Sequence, residues 1–400
     1  MYQSLKNLFH IFECLAADLY YGFPARKLII VGITGTDGKT TTAHLIYHIL
    51  KTSGKKVSMI SSIYADIGGQ IHDTGFHVTT PRPWKVRQFL RKAHDLGAEY
   101  FILETTSHAL AQNRVWGIRF DTAVITNITH EHLYHHGSFD NYLKIKTKLL
   151  FQSRTALVNL DSTASQQVIN TLTLRKKSFK TFSLKDSKAD FTWNAQIKSH
   201  IHGEYNRENI LAAYSVAQIL ELDKKAISKA IASFELPQGR LDIVRNKEFK
   251  VVIDFAHTPN SIERLLHTIK AELVGKNGLI IHVFGSASQR DDSKRPKMGE
   301  ASAQYADIII LTEEDYRKED PAKICEQIAQ GIKKQGLVKD QDYFIVTDRA
   351  LAIEKAIFMA QRGDVVVVTG KSHEKSLARG GKEYPWDEYK TVRKALIRKK

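Results

Sequence analysis

Apolar positions recur along this chain with two different periods. From Lys27 onward, short apolar runs typical of buried strands alternate with longer stretches that carry apolar residues at helical spacing. This alternation predicts an α/β fold, with a mostly parallel sheet in a central domain and a Rossmann-like α/β domain after it. The predicted strands are Leu28–Ile33, Tyr100–Glu104, Thr122–Thr126, Ala156–Asn159, Val251–Asp254, Leu279–Phe284, Ile308–Thr312 and Val365–Thr369.

The domain boundary is predicted where Pro and Gly interrupt this alternation. Residues 235–240 lie between a helical pattern and a new series of strands. We therefore assign residues 28–236 to the central domain and residues 237–400 to a C-terminal domain, both of ordinary domain length. Residues 1–27 are expected to form an N-terminal helix and linker.

The N-terminal segment has the spacing of an amphipathic helix. Lys6, His10, Glu13 and Asp18 interrupt its apolar residues, so it does not resemble a signal peptide. We expect its apolar face to pack onto the body of the protein, and the alternative is a helix that lies on a membrane surface. The apolar residues are Leu5, Leu8, Phe9, Phe12, Leu15, Ala16 and Leu19.

Composition narrows the class of protein. Hydrophobic residues make up 42% of the chain and charged residues 26%, which is typical of a globular protein, and no apolar run is long enough to span a membrane. The two cysteines supply neither a disulfide framework nor a zinc cluster, which suits a reducing cytoplasm. The formal charge of +16 predicts an anionic partner. No nucleic-acid-binding motif is present, and a nucleotide substrate explains the charge as well as nucleic acid does.

A glycine-rich loop follows the first predicted strand. Residues 32–42 read Gly-Ile-Thr-Gly-Thr-Asp-Gly-Lys-Thr-Thr-Thr, and a helical stretch begins at Ala43. Strand, loop and helix in this order form a nucleotide phosphate loop, whose backbone N–H groups and helix N-terminus face phosphate oxygens. Lys39 is placed to neutralise the β- and γ-phosphates, and the Thr40 hydroxyl to bind Mg²⁺. The sequence therefore predicts a P-loop ATPase domain, with a tight turn before a helix as the alternative.

This loop and a series of later motifs resemble the Mur ligase family. The motifs keep the family's order along residues 16–396, and the best match is the branch that adds the third amino acid of the peptidoglycan stem peptide. The segments that carry the resemblance are Gly35–Thr40, Thr79–Pro81, Glu104–Arg114, Thr126–Gly137, His202–Asn209, Gly239–Arg240, Asp254–Pro259, Lys294–Pro296 and Gly370–Glu374.

The resemblance implies an ATP-dependent amide ligase that activates a carboxylate as an acyl phosphate and uses two Mg²⁺ ions. Negative charge develops on oxygens in both steps, so metal ions and fixed cations carry the catalysis. The implied catalytic residues are Lys39, Glu104, His132 and Lys146. The implied ATP-binding residues are Gly35, Thr36, Asp37, Gly38, Lys39, Thr40, Thr41, Asn127, Asn209, Arg240 and Asp254.

The same resemblance assigns the metal and substrate positions. The implied Mg²⁺ ligands are Thr40, Glu104, His132 and Lys146. The implied substrate-binding residues are Thr79, Thr80, Ser107, Arg114, His257, Arg290, Asp315, Arg317 and Glu374. Because Arg240 and Asp254 belong to the C-terminal domain, we expect them to reach ATP by hinge closure.

Lys146 is implied as a carbamate, a lysine that CO₂ converts into a metal-binding carboxylate. Counting forward from the family's His-Gly pair selects Lys146, whereas counting back from the end of the helical stretch reaches Thr147, and Lys148 is the alternative. From the residues alone, a solvated helix lysine is the default interpretation. The histidine-rich run at 130–136 allows a transition-metal site by composition, but the resemblance assigns only His132, to Mg²⁺.

Three features depart from the family pattern. Only 27 residues precede the first strand, where family members carry a UDP-binding domain of about 100 residues, so a shortened or non-UDP carrier is one expectation. The loop at 285–291 reads Gly-Ser-Ala-Ser-Gln-Arg-Asp instead of Gly-Cys-Gly-Gly-Asp-Arg-Asp. The acceptor motif Asp-Asn-Pro-Arg appears as Glu-Asp-Tyr-Arg at 314–317.

The arginine kept at position 317 bears on the acceptor amino acid. A planar guanidinium binds a carboxylate through two parallel hydrogen bonds, and meso-diaminopimelate carries a second carboxylate that lysine lacks. We therefore expect meso-diaminopimelate, with lysine as the alternative. A surface pair between Arg317 and Glu314 or Glu319 is the structural alternative.

Other functions stay open on the sequence. Folylpolyglutamate synthetases share the fold but usually read Gly-Lys-Gly-Ser at the loop, unlike Gly38–Thr41. The amidating relatives that pair with a glutaminase need four zinc-binding cysteines. A Mur-like scaffold that binds ATP without turnover is the alternative outside the enzymes. The expected protein is a cytoplasmic monomer that binds a UDP-muramoyl-peptide-like substrate and an amino acid, without nucleic acid or an integral membrane segment.

Overall fold

Strands with both faces buried form the centre of each half of the chain. The computed structural model describes residues 2–75, 78–129, 138–289 and 291–399. They form two compact units, Met1–Glu235 and Leu236–Lys400. Each unit contains a mostly parallel sheet, and helices connect many of its successive strands. The predicted fold class is therefore confirmed. In these ranges no helix is both long and apolar enough to cross a membrane.

The first unit contains a sheet with the strand order β4-β3-β2-β5-β1-β6-β7-β8-β9. All neighbouring pairs are parallel except β2–β3 and β3–β4. Five of the six residues of β1 are buried, as expected for a parallel strand covered on both faces. The strands are β1 (Ile29–Thr34), β2 (Val57–Ile60), β3 (Ala65–Ile67), β4 (Gln70–His72), β5 (Tyr100–Glu104), β6 (Phe120–Ile125), β7 (Ser153–Asn159), β8 (Phe179–Ser183) and β9 (Phe191–Thr192).

The helices of the first unit cover this sheet. Beside a short 3₁₀ helix at Pro24–Lys27, they are α1 (Tyr2–Tyr21), α2 (Lys39–Thr52), α3 (Pro83–Asp95), α4 (Ser107–Ala111), α5 (Phe139–Phe151), α6 (Ser165–Leu174), α7 (Glu204–Ile219) and α8 (Lys224–Ala232). Strand β7 begins at Ser153, three residues before the predicted start at Ala156, because its first residues are polar yet still pair with β6.

The second unit contains a sheet with the order β10-β11-β15-β12-β13-β14, in which only β10–β11 is antiparallel, and a separate β16–β17 hairpin. The strands are β10 (Asp242–Asn246), β11 (Lys250–Asp254), β12 (Ile280–Phe284), β13 (Ile308–Leu311), β14 (Tyr343–Ile345), β15 (Val365–Thr369), β16 (Ser376–Arg379) and β17 (Lys382–Pro385). The helices are α9 (Pro259–Glu272), α10 (Lys294–Ala303), α11 (Pro321–Lys334), α12 (Arg349–Met359) and α13 (Glu388–Arg398).

Parallel strands bring the loops at their carboxyl ends to one edge of each sheet. In the first unit these loops follow β1, β2, β5 and β6, and in the second unit they follow β11, β12, β13 and β15. Open α/β sheets bind ligands at this edge. Most of the predicted site residues that the structure describes lie at the ends of these strands, in these loops or in the helices that start from them, whereas Thr79, Thr80, Asn209 and Arg240 come from other segments.

Helix α1 forms as predicted, but the face that it buries is opposite to the apolar face expected to pack on the protein. It packs against α3 through a face that includes His10, Cys14 and Asp18, all less than a tenth exposed. His10 Nδ1 lies 2.8 Å from the Gln112 carbonyl oxygen, and Asp18 pairs with the fully buried Arg87 at 3.2 Å. These buried polar contacts set the rotation of the helix, since an unsatisfied buried charge costs more than an exposed leucine. The expected packing of the apolar face onto the body is therefore wrong.

That apolar surface is exposed instead. We call it the α1 apolar face and define it by the six large side chains that the structure shows to be exposed. They are Leu8, Phe9, Phe12, Leu15, Leu19 and Tyr20.

Candidate active site

The phosphate loop lies between the carboxyl end of β1 and the first turn of α2. A Cβ atom at Gly35 would collide with the Thr126 hydroxyl, and one at Gly38 would collide with the Asn209 side-chain oxygen. Gly38 also adopts a φ of 81°, a left-handed conformation that favours glycine. The loop therefore packs tightly on the segment after β6 and on α7, and a side chain at either glycine would force these neighbours to shift.

Side chains from the loop and from β6 hold its shape. Lys39 Nζ donates to the carbonyl oxygens of Gly35 at 3.1 Å and Thr36 at 2.7 Å. The Asn127 side chain accepts from the Asp37 N–H at 2.9 Å and donates to the Asp37 carbonyl at 3.2 Å. The predicted ATP-binding residues of the first unit are thus brought together around one loop.

Glu104 is the last residue of β5 and is fully buried. Its Oε1 accepts hydrogen bonds from the Thr40 hydroxyl at 3.0 Å and the Ser62 hydroxyl at 2.8 Å, and its Oε2 accepts from the Ser62 N–H at 2.9 Å. A carboxylate beside hydroxyl oxygens is the hard donor set that Mg²⁺ prefers. Ser62 was not predicted as a site residue. It lies just after β2, at the carboxyl edge of the sheet where ligands usually bind.

The predicted substrate loop packs against this carboxylate. The Thr79 hydroxyl lies 2.8 Å from the serine hydroxyl that binds Glu104, and the Thr80 hydroxyl donates to the Glu104 carbonyl at 3.0 Å. Arg114 Nη1 in turn donates to the Thr80 carbonyl at 2.8 Å. Ser107 begins α4 in the loop after β5 and is buried. Four predicted substrate residues therefore lie at the same edge as the phosphate loop.

Lys146 lies on the buried side of α5. It is 1% exposed, whereas Lys144 and Lys148 are exposed to solvent. Its Nζ lies 4.6 Å from the centroid of the Tyr142 ring, and the Tyr142 hydroxyl lies 3.2 Å from the Thr36 hydroxyl. Lys146 is thus not a solvated helix lysine, and one aromatic ring separates it from the phosphate loop.

Two predicted site residues, His132 and Arg290, lie outside the described residues, as does the whole histidine-rich run at 130–136. Within the described ranges, no group of three or more His, Cys, Asp and Glu side chains is arranged to hold a metal ion. Of the predicted Mg²⁺ ligands, Thr40, Glu104 and Lys146 lie in that part of the chain.

In the second unit, Asp254 fixes the turn that carries Arg240. Both Asp254 carboxylate oxygens accept backbone N–H groups, at 2.6 and 2.7 Å, and one of these N–H groups belongs to Leu241. The Arg240 guanidinium lies 4.9 Å from the centroid of the Phe255 ring, and the His257 ring lies 4.8 Å from the same ring. The structure therefore brings these three predicted residues together around one aromatic side chain.

A buried lysine joins the predicted acceptor carboxylates. Lys371 is fully buried, and its Nζ donates to Asp315 at 2.9 Å and to Glu374 at 2.5 Å. Burial works against the charged form, but Glu374 and Asp315 together hold the pKa of Lys371 above its usual range. Lys371 was not predicted as a site residue, although it lies in the motif Gly370–Glu374. Its pairing with Asp315 joins residues 56 positions apart, which the sequence does not show.

Arg317 forms no ion pair with any residue that the structure describes. Its Nη1 donates to the Ser288 carbonyl oxygen at 2.8 Å. Glu319 instead pairs with Arg295 at 2.6 Å, and Glu314 is buried, which raises the pKa of its carboxyl. The surface pairing of Arg317 is therefore not observed, and the guanidinium keeps donors for a ligand.

Comparison with known proteins identifies the family. Residues 33–217 match the Mur ligase middle domain, and residues 239–372 match the Mur ligase glutamate ligase domain. The chain is 34% identical over 398 residues to UDP-N-acetylmuramoyl-L-alanyl-D-glutamate--2,6-diaminopimelate ligase from Aquifex aeolicus, with 95% of this chain and 80% of the relative covered. The chain belongs to the Mur ligase family. This Mur ligase is an ATP-dependent acid–amino-acid ligase of peptidoglycan precursor synthesis.

Further comparisons agree with this assignment. UDP-N-acetylmuramyl-tripeptide synthetase from Borreliella afzelii is 37% identical over 410 residues, covering 95% of this chain and 79% of the relative. A solved structure of a UDP-N-acetylmuramoyl-L-alanyl-D-glutamate--2,6-diaminopimelate ligase has a TM-score of 0.60 at 29% identity, covering 93% and 78% of the two chains. Folylpolyglutamate synthase from Mycobacterium tuberculosis has a TM-score of 0.70 over 90% and 92% at 16% identity, which shows the shared fold alone.

Replacing Lys39 by alanine tests the phosphate loop. We expect Lys39→Ala to lower ATP turnover by about 10³-fold or more, because it removes the cation facing the transferred phosphoryl group. Phosphate release under saturating ATP measures this loss. The exposed Lys51, at the other end of α2, gives the matched control Lys51→Ala. Near-normal turnover in a folded Lys39→Ala protein would contradict the assignment.

Proposed function

We propose that this Mur ligase joins an amino acid to a UDP-N-acetylmuramoyl-dipeptide or a similar carrier through an acyl phosphate. One observation carries the proposal: the phosphate loop, the Glu104 carboxylate and the Thr79–Thr80 loop meet at one edge of the sheet. A nucleotide bound at this loop has its γ-phosphate next to a peptide carboxylate held by Thr79, Thr80, Ser107 and Arg114. The names of the relatives supply the substrate class.

The reaction has two steps. An oxygen of the peptide carboxylate attacks the γ-phosphorus of ATP, and ADP leaves. The acceptor amine then attacks the acyl carbon and loses one proton, and inorganic phosphate leaves with the oxygen that attacked. Lys39 and the N–H groups of the loop stabilise the negative charge that develops on the phosphoryl oxygens.

Thr40 and Glu104 fit Mg²⁺, because their oxygens are already within 3.0 Å of each other. We propose them as ligands, with His132 and a carbamate on Lys146 as the others. When bound, Mg²⁺ neutralises charge on the β- and γ-phosphates. Thr40 orients its hydroxyl toward Glu104, and Glu104 keeps its carboxylate fixed through the Ser62 hydrogen bonds.

Residues of the second unit complete the proposed ATP site. Asp254 holds the turn at 240–241 through backbone N–H groups, so its role is to position Arg240 rather than to touch ATP itself. The Arg240 guanidinium is then the group that binds phosphate. His257 contacts the same aromatic ring, and its proposed role is to orient phosphate or the acceptor.

Substrate-dependent phosphate release tests the proposed reaction. We expect rapid release only when ATP, the muramoyl-dipeptide and the amino acid are present together, because acyl phosphate breakdown needs the amine. Omission of either substrate should lower release to a background level. A protein that binds ATP and releases no phosphate under any combination would instead be the scaffold.

The burial of Lys146 supports carbamylation. The neutral Lys146 amine attacks the carbon of CO₂ to give a carbamate and release one proton, and a buried position beside the phosphate loop protects that carbamate from water. We expect Lys146→Ala to be inactive and partly rescued by small carboxylic acids such as acetate. A second measurement uses ¹³CO₂. The wild-type protein treated with it should show a carbamate carbonyl signal, and Lys146→Ala should lack that signal.

The exposed Lys148, on the same helix, supplies the control for this prediction. We expect Lys148→Ala to keep both its activity and the ¹³C signal. Rescue by acetate that appears in Lys148→Ala and not in Lys146→Ala would move the carbamate to Lys148.

We propose meso-diaminopimelate as the acceptor, with Arg317 binding its distal carboxylate. The guanidinium has no ion pair among the described residues and is held only by the Ser288 carbonyl. Asp315 and Glu374 are the proposed partners of the distal ammonium group, and their shared Lys371 keeps both carboxylates in place. Arg290 completes the proposed substrate set.

Replacing Arg317 tests the acceptor. We expect Arg317→Ala to lower kcat/KM for meso-diaminopimelate. The loss should correspond to about 2–4 kcal/mol of transition-state stabilisation, as for a lost charge-assisted pair, and kcat/KM for lysine should change little. The exposed neighbour gives the matched control, Lys318→Ala. A wild-type protein that prefers lysine over meso-diaminopimelate would show that the acceptor is lysine.

A further inference from the structure

The α1 apolar face is continuous along the helix surface. At about 100° per residue, the positions of Leu8, Phe9, Phe12, Leu15, Leu19 and Tyr20 fall within an arc of about 140°. Between positions 8 and 20, this arc contains one further residue, Ala16, and no charged one. The six large side chains are between 40% and 72% exposed. They expose on the order of 600 Å² of apolar surface, at the upper end of what a monomer usually leaves free, and patches of this size often mark interaction sites.

The buried side of α1 fixes this orientation. The Asp18–Arg87 pair and the His10 contact lie on the opposite face and hold the helix against α3. Turning the apolar face inward would break that buried pair, at a cost of several kcal/mol. The exposure of the face is therefore a stable property of the folded unit.

Aromatic side chains extend the face beyond the end of α1. Trp84 is 39% exposed, and its ring centroid lies 5.2 Å from that of Tyr20 and 5.5 Å from that of Tyr21. Tryptophan and tyrosine combine an apolar ring with a polar group, which suits the boundary between lipid headgroups and acyl chains.

Basic side chains border this aromatic end. Arg26 and Lys27 end the short 3₁₀ helix that follows α1, and Arg82 and Lys85 flank Trp84 along the chain, all four exposed. The nearby acidic groups are engaged with protein partners. Asp18 pairs with Arg87 and Asp95 pairs with Arg91, while Glu13 accepts the backbone N–H of Trp84 and keeps its charge against four basic groups. The border therefore has a net positive charge, in a chain whose formal charge is +16.

This charge decides which partner fits. Two copies of the chain would bring two basic borders and two charges of +16 together, which repel. An anionic lipid surface instead attracts the basic border through its headgroups. The α1 apolar face is then buried at the boundary between headgroups and acyl chains. We propose that the α1 apolar face docks this Mur ligase on an anionic phospholipid bilayer, with α1 lying in the interface.

Vesicle sedimentation with the full chain tests this proposal. We expect binding to vesicles of equal parts phosphatidylcholine and phosphatidylglycerol, weaker binding to phosphatidylcholine alone, and loss of binding as salt is raised. The double variant Phe12→Glu, Leu19→Glu should lower binding at least about tenfold. Both positions are exposed, so we expect the variant to fold as the wild type does, and circular dichroism checks this.

Two further variants separate the contributions. Arg26→Glu, Lys85→Glu should lower binding to the anionic vesicles and leave binding to phosphatidylcholine unchanged. Leu174→Glu, at a position 84% exposed on α6, is the matched control and should bind as the wild type does. ATP turnover should be unchanged in all three, since none of these residues lies in the proposed active site.

Two results would contradict the docking proposal. If the wild type does not bind anionic vesicles, or if the Phe12→Glu, Leu19→Glu variant binds as well as the wild type, the proposal is wrong. Analytical ultracentrifugation identifies the competing partner. A dimer that this variant abolishes, without vesicle binding by the wild type, would assign the face to a second copy of the chain.

Discussion

The hydrogen bonds of the buried Glu104 carboxylate are the interaction on which the arrangement of the active site depends. They connect the end of β5 to the first turn of α2 through Thr40 and to the loop after β2 through Ser62. A buried carboxylate is costly without such partners, so the three segments are held together or the site is lost. The substrate loop joins the same network through Thr79 and Thr80.

The C-terminal unit uses the same principle with the opposite charge. The fully buried Lys371 ties Asp315, from the loop after β13, to Glu374, in the loop after β15. Both networks lie where parallel strands end, which is the edge at which open α/β sheets bind ligands. In this way, one buried charge in each unit organises the loops that carry the function.

Much of this was predictable from the sequence. The fold class followed from strand-sized apolar runs, and the phosphate loop followed from its glycines, which the collisions at Gly35 and Gly38 explain. Contacts between distant segments were not predictable. Spacing alone left Lys146 and Lys148 as alternatives, and only packing showed that Lys146 is the buried one. The orientation of α1 was predicted wrongly, because hydrophobic periodicity does not register a buried ion pair such as Asp18–Arg87.

The central claim is that a peptide carboxylate is activated as an acyl phosphate at the Glu104 edge of the first unit. Oxygen labelling tests it most directly, with a muramoyl-dipeptide whose terminal carboxylate carries ¹⁸O, in the presence of ATP and the amino acid. The account predicts that each phosphate released carries one oxygen from that carboxylate. Phosphate released at the rate of amide formation without any ¹⁸O would contradict it.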